Sequence, residues 1–237
     1  MNDVIRHGFD HLKENVAETV AEVKPKLRGW LHLGTIPLAL AAGIVLIVLS
    51  PTAVTRTGSA IFVGSALILF TGSAVYHRGT WSPRTWNVLR RLDHSNIFIL
   101  IAGSYTPFTL IFLDGTAQVA LLTTVWSGAI LGVLFRVFWT DAPRWLYTPI
   151  YIALGWAAIF FLPLFIDGVD RTGLGIAALV LVGVGGLLYT LGGVVYGFQR
   201  PDPWPTHFGF HEVFHSFTVL AFITHYVGVS LATYSLR

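Results

Sequence analysis

The chain has 237 residues, of which 54% are hydrophobic and only 11% charged, against about 25% charged in an ordinary soluble domain. That composition calls for a polytopic membrane protein, and the lack of cysteine excludes disulfides, thiolate metal sites and nucleophilic thiols. The net charge of +3 comes without a dense basic stripe, so nothing favours nucleic-acid binding.

Residues 3–24 read as an amphipathic helix. Ile5, Phe9, Leu12, Val16, Val20 and Val23 recur in steps of three and four, with Asp10, Lys13, Glu14, Glu18 and Glu22 on the other faces. Such a helix lies on a membrane surface, docks a partner or caps the bundle from the cytosol. Pro25 ends the run, and Lys24, Lys26 and Arg28 mark a cytosolic membrane boundary. The first 30 residues lack the continuous apolar stretch of a cleavable signal peptide, so the first spanning segment is expected to serve as the insertion signal. We therefore divide the chain into a cytosolic amphipathic N-terminal helix (residues 1–28) and a transmembrane domain (residues 29–237).

Seven apolar segments follow, near 31–50, 59–77, 93–113, 116–138, 146–165, 173–197 and 210–234. Each holds about 20 residues, enough to cross a hydrocarbon core ~30 Å thick. The third and fourth are parted only by Asp114-Gly115, the weakest boundary of the set. The expected fold class is an all-α membrane protein, a seven-transmembrane-helix bundle with its N-terminus cytosolic and its C-terminus outside. The charges support that orientation, since twelve of the fifteen Lys and Arg fall on the inner side and only Arg56, Arg171 and Arg237 on the outer. Trp30, Trp81, Trp86, Trp139, Trp145 and Trp204 lie near the inner boundaries, as an aromatic belt requires. Pro37, Pro107 and Pro163 should kink their segments. Gly128 with Gly132, and Gly193 with Gly197, read as close helix packing.

This topology brings several polar residues to one leaflet. Segment two runs inward and ends at His77, with Ser73 one turn deeper on the same face. Segment three starts inside with Asp93, and segment seven starts inside with His211 and, one turn deeper, His215. Two histidines four apart share a helix face, and three neutral imidazoles suit Zn2+ with a fourth position left for water. Asp93 would orient or deprotonate that water, and Ser73 would donate to it or to a developing oxyanion.

Plainer roles stand beside these. Asp93 also suits an N-cap, Ser73 a back-bond to a carbonyl one turn earlier, and Glu212 the positive end of its helix. His225, near mid-membrane, reads as a satisfied core histidine rather than a ligand, and His32 and His94 as interface residues without a clear partner. His211-Glu212-x-x-His215 also matches the zincin protease pattern. The extended form of that pattern needs a glycine where Thr218 stands, and the other form needs a downstream carboxylate, whereas residues 216–237 contain no Asp or Glu. The third ligand must come from upstream, and His77 is the natural choice.

Ser73 and His77, then Asp93, then His211 and His215 together resemble the hemolysin III family, which groups with the progestin and adipoQ receptors and more distantly with the alkaline ceramidases. Lys24-Pro25-x-x-Arg28-Gly29 and Ala102-Gly103-Ser104-Tyr105-Thr106-Pro107-Phe108 look like its bacterial branch. The resemblance implies seven helices and zinc near the cytosolic face, held by His77, His211 and His215, with Asp93 and Ser73 as polar neighbours. It further implies a multi-pass protein of a bacterial plasma membrane, with membrane lipids as partners and a role in lipid homeostasis. The leading expectation is a zinc-dependent hydrolase of lipid amide or ester bonds. The rivals are a receptor-like sensor of membrane state with structural zinc, and a pore-forming cytolysin.

Overall fold

The structure, a computed structural model, describes residues 25–237. The amphipathic helix expected over 3–24 lies outside the described residues. Among the described residues the regular elements are helices: α1 (Trp30–Leu49), α2 (Ala53–Arg78), α3 (Pro83–Phe112), α4 (Gly115–Phe138), α5 (Arg144–Gly155), α6 (Leu162–Asp167), α7 (Gly175–Phe198) and α8 (Phe210–Tyr234). α5 and α6, joined by a 3-10 stretch over Ala157–Phe161, make one crossing, so seven segments among the described residues are long and apolar enough to span a membrane.

Local chemistry fixes several boundaries. Thr52 caps α2, accepting from the Thr55 N–H at 3.1 Å. The Asp114-Gly115 break does separate α3 from α4, with Gly115 at φ +52°. Ser82 caps α3 and Pro83 opens it, so this helix starts ten residues before the expected segment. Its first turns carry Arg84, Arg90 and Arg91; they are helical but too charged to register as a span. Asp93 therefore sits inside α3, and its N-cap role is excluded. Pro163 lies in the first turn of α6, directly after the 3-10 stretch, where its missing N–H costs nothing.

α3 is the most enclosed helix, with 78% of its apolar window buried, whereas the α5–α6 crossing has only 6%. α3 lies between α2 and α4, α7 packs on α5 and α8, and α8 closes against α1. A core of Phe62, Phe70 and Phe222 joins α2 to α8, with ring centres 5.2–5.3 Å apart along the row. Outward surfaces are apolar, including Leu38, Val48, Ile130, Phe160 and Phe198. In water such a girdle would drive aggregation; in a bilayer it is the solvated face. The six tryptophans named above are all exposed. As expected, Gly128 and Gly132 are packing residues, because a methyl group at either would press on Leu154 or Phe98.

Candidate metal centre

Alternating helix direction sets the end of α2, the third turn of α3 and the start of α8 at one end of the bundle. His77, His211 and His215 meet there, with their candidate ligand nitrogens all within 4.8 Å of one another. All three are buried, in keeping with an enclosed site. His77 Nε2 and His211 Nε2 stand 3.2 Å apart. Two nitrogens each about 2.1 Å from one tetrahedral zinc would be about 3.4 Å apart, so this separation fits a shared metal as well as a hydrogen bond. An all-imidazole donor set of this size can hold a first-row divalent metal, zinc, copper, iron and nickel all accepting such ligands.

Asp93 Oδ2 lies 3.7 Å from His77 Nε2. Ser73, 2% exposed, faces the Asp93 carboxylate but makes no hydrogen bond of standard geometry. The back-bond expected as its plainer role is not formed, so the hydroxyl is held beside the carboxylate without a helix carbonyl as partner.

The start of α8 is braced from the far end of the chain. Glu212 is completely buried; its Oε2 accepts from the Gly209 N–H at 2.8 Å, and its Oε1 accepts from Arg28 Nε. Asp202 Oδ1 accepts from the Phe210 N–H at 2.8 Å. These bonds satisfy amide donors that a helix start leaves unpaired. The Lys26 and Leu27 N–H groups donate to the Thr206 and His207 carbonyls, both at 3.1 Å, tying the entry segment to the α7–α8 loop. Gly29 follows at φ +81°, where a Cβ would lie 2.8 Å from His77 Cβ. One short segment thus touches both sides of the triad, through Arg28 on the α8 side and Gly29 on the α2 side. The sequence showed Arg28 as a boundary charge and as part of the Lys24-Pro25-x-x-Arg28-Gly29 entry; its pairing with a residue 184 positions away has no local signature.

Two other histidines have partners that sequence spacing concealed. His32, expected to have no clear partner, is buried and stacks on His215, ring centres 3.9 Å apart and planes 18° apart. That contact fixes the His215 ring plane, whose Nδ1 has no hydrogen-bond partner. His94 Nδ1 receives a hydrogen bond from buried Arg136 at 2.6 Å, and its Nε2 lies 3.4 Å from the Tyr196 hydroxyl. Since Arg136 only donates, neutral His94 carries its proton on Nε2. His225 is half satisfied, with Nε2 bonded to the Val182 carbonyl at 3.3 Å and Nδ1 unpartnered.

A cavity of about 350 Å³ runs from this centre into the bundle. Ser73, Asp93, His211 and His215 line one end, and its walls continue past Phe108 and Leu179 to His225 and Phe165. The site therefore offers a clustered imidazole set, a carboxylate and a hydroxyl at the head of a mostly apolar chamber, a layout suited to polar chemistry on the end of an apolar molecule.

Comparison with known proteins identifies the family. The profile of the family described as Haemolysin-III related matches residues 20–226. A hemolysin-3 homolog from Bacillus subtilis (strain 168) is 37% identical over 160 residues, 67% of this chain and 69% of that protein. Hemolysin-3 from Bacillus cereus is 32% identical over 167 residues, 69% of this chain and 73% of that one. The adiponectin receptor protein of Drosophila melanogaster is 26% identical over 190 residues, 72% of this chain but only 41% of the receptor. The match spans nearly every element from the entry segment to α8, on a bundle with seven membrane-spanning segments and a buried three-histidine centre; the chain belongs to the haemolysin-III-related family and is a multi-pass protein of the bacterial membrane.

Proposed function

We propose that the protein is a zinc-dependent hydrolase of lipid amide or ester bonds, acting at the cytosolic face in membrane lipid homeostasis. The observation that carries this reading is the composition of the centre: three histidine nitrogens clustered, with Asp93 beside them but outside the cluster. Structural zinc sites are closed by four protein ligands, whereas catalytic ones keep a position open, so a three-ligand set favours catalysis. Zinc held by His77, His211 and His215 would supply Lewis acidity toward a carbonyl and toward water.

The chain's own residues have separable tasks. Asp93 accepts a proton from the attacking water as its oxygen bonds to the acyl carbon, and returns it to the amine or alkoxide as the C–N or C–O bond breaks. The Ser73 hydroxyl donates to the oxygen that gains negative charge. The cavity walls hold the acyl chain, and burial of the centre limits access of bulk water. The bias of Lys and Arg toward this end of the bundle supports its placement at the cytosolic face.

The reading is tested with purified protein in lipid nanodiscs, assaying fatty-acid release from ceramides, phospholipids and acylated amines. We expect release from at least one class, abolished by chelation. Asp93→Asn should keep its zinc and lose about 100-fold or more in rate. Zinc-loaded protein that releases nothing from any class would instead favour the sensor with structural zinc.

A further inference from the structure

The apolar cavity holds a second group of polar atoms, well away from the metal centre. Ser104 of α3, Tyr189 of α7 and His225 of α8 all line it. Ser104 and His225 are 5% and 7% exposed. Ser104 Oγ, the Tyr189 hydroxyl and His225 Nδ1 are each buried and make no hydrogen bond of standard geometry, although the Ser104 and Tyr189 hydroxyls lie close enough to interact with each other. They are contiguous: Ser104 faces Tyr189, whose ring centre is 5.5 Å from that of His225.

Gly185 sets the direction of the His225 ring. A Cβ there would fall 2.2 Å from His225 Cδ2 and 2.3 Å from Nε2, so glycine lets that edge lie against α7 and reach the Val182 carbonyl. The opposite edge, carrying Nδ1, points away from α7. Because the carbonyl can only accept, Nε2 holds the ring proton and Nδ1 presents a lone pair. One acceptor-only nitrogen thus shares the cavity with two hydroxyls that both donate and accept. Leaving Nδ1 unpaired and the two hydroxyls poorly aligned in an apolar chamber costs free energy, which a ligand of matching polarity recovers.

We infer that Ser104, Tyr189 and His225 form a subsite for a hydroxyl group carried in the middle of a lipid acyl chain. A hydroxyl donates to His225 Nδ1 and accepts from Tyr189 or Ser104, whereas a ketone leaves Nδ1 unpaired and a methylene offers none of them a partner. The depth suits the middle of a long chain: His225 follows His215 by ten residues, about 15 Å along α8. The inference rests on the proposal above that the cavity receives an acyl chain with its head at the metal centre, and it adds which chains are preferred.

The test uses the full-length protein in nanodiscs and needs no turnover. Binding of oleate, of ricinoleate (the same chain with a mid-chain hydroxyl) and of the matching ketone is measured by displacement of fluorescent parinarate. Ricinoleate should bind roughly 3- to 10-fold more tightly than oleate, with the ketone well below ricinoleate. In Tyr189→Phe, which keeps the ring, and in His225→Leu, that preference should vanish or reverse, since a hydroxyl in an apolar wall is penalised. Cooperative thermal unfolding and an unchanged circular dichroism spectrum show that both variants remain folded. Equal or weaker binding of ricinoleate by the wild type would overturn the inference and assign the three atoms to a resident water. A preference that survives both variants would also overturn it, as would failure of every fatty acid to bind. A preference for ricinoleate in a protein that hydrolyses no lipid would sink the hydrolase reading and leave the subsite standing.

Discussion

Arg28→Ala is the perturbation that most sharply tests how the metal centre is held. The Glu212 side chain is 1% exposed and that of Arg28 18%. Removing the guanidinium leaves the carboxylate with one backbone donor, the Gly209 N–H, in a site water barely reaches. Breaking a buried pair in this way costs about 3–5 kcal/mol, and the partial exposure of Arg28 puts the expected loss near 3 kcal/mol. At roughly 2–4 °C per kcal/mol for a chain of this size, the melting temperature should fall by about 6–12 °C. Glu212 adjoins His211, so zinc affinity should fall as well, by about 10- to 100-fold, as when an orienting partner of a ligand is lost. The assay is thermal unfolding in detergent with zinc competition against a chromogenic chelator, on Arg28→Ala, Glu212→Gln and the double variant. A neutral amide tolerates burial better than an unpaired carboxylate. The double variant should therefore be more stable than Arg28→Ala alone by about 1–2 kcal/mol. Additive losses, or an Arg28→Ala protein that melts and binds zinc like the wild type, would refute the brace.

Three further outcomes follow from the same geometry. Gly29→Ala puts a methyl group at φ +81° against His77 Cβ, and should lose about 1–3 kcal/mol in thermal unfolding, with weaker zinc binding. His32→Ala removes the ring stacked on His215 and should weaken zinc affinity in the same competition assay while leaving the helix content seen by circular dichroism unchanged. Ser73→Ala should retain zinc and lower the hydrolytic rate by about 10- to 1000-fold with little change in KM, because its hydroxyl is assigned to the developing charge.

The fold was legible because a bilayer imposes simple demands on a chain. Segments of sufficient length and low charge announce the spans, and a skewed Lys and Arg distribution suggests how they alternate. Even Asp114-Gly115 sufficed to part α3 from α4, since a glycine at positive φ ends one helix and starts the next. The start of α3 was misplaced because a hydropathy window registers apolarity, and residues 83–92 are helical yet charged. The 3-10 stretch at Ala157–Phe161 left no trace beyond Pro163, because its apolar side chains suit either helix type.

The centre was readable in its histidines for a related reason. Spacing of four fixes a shared helix face, and topology fixes the depth, so His77, His211 and His215 could be brought together without contacts. Their supports could not be found that way. Arg28 on Glu212, His32 on His215 and Arg136 on His94 join residues far apart in the chain, with no periodicity to betray them. Ser104, Tyr189 and His225 were hidden likewise: each looks like an ordinary polar residue of its own helix, and only the shared cavity reveals that they gather at one place with bonding capacity left over.

The most direct measurement of the central claim is lipid hydrolysis followed while zinc is titrated back into chelated wild-type protein, with bound metal counted in the same samples. The account predicts fatty-acid release that rises in proportion to bound zinc, saturates at about one ion per chain, and is absent from His215→Ala at every zinc concentration. Release that is already maximal without zinc, or that persists in His215→Ala, would contradict it.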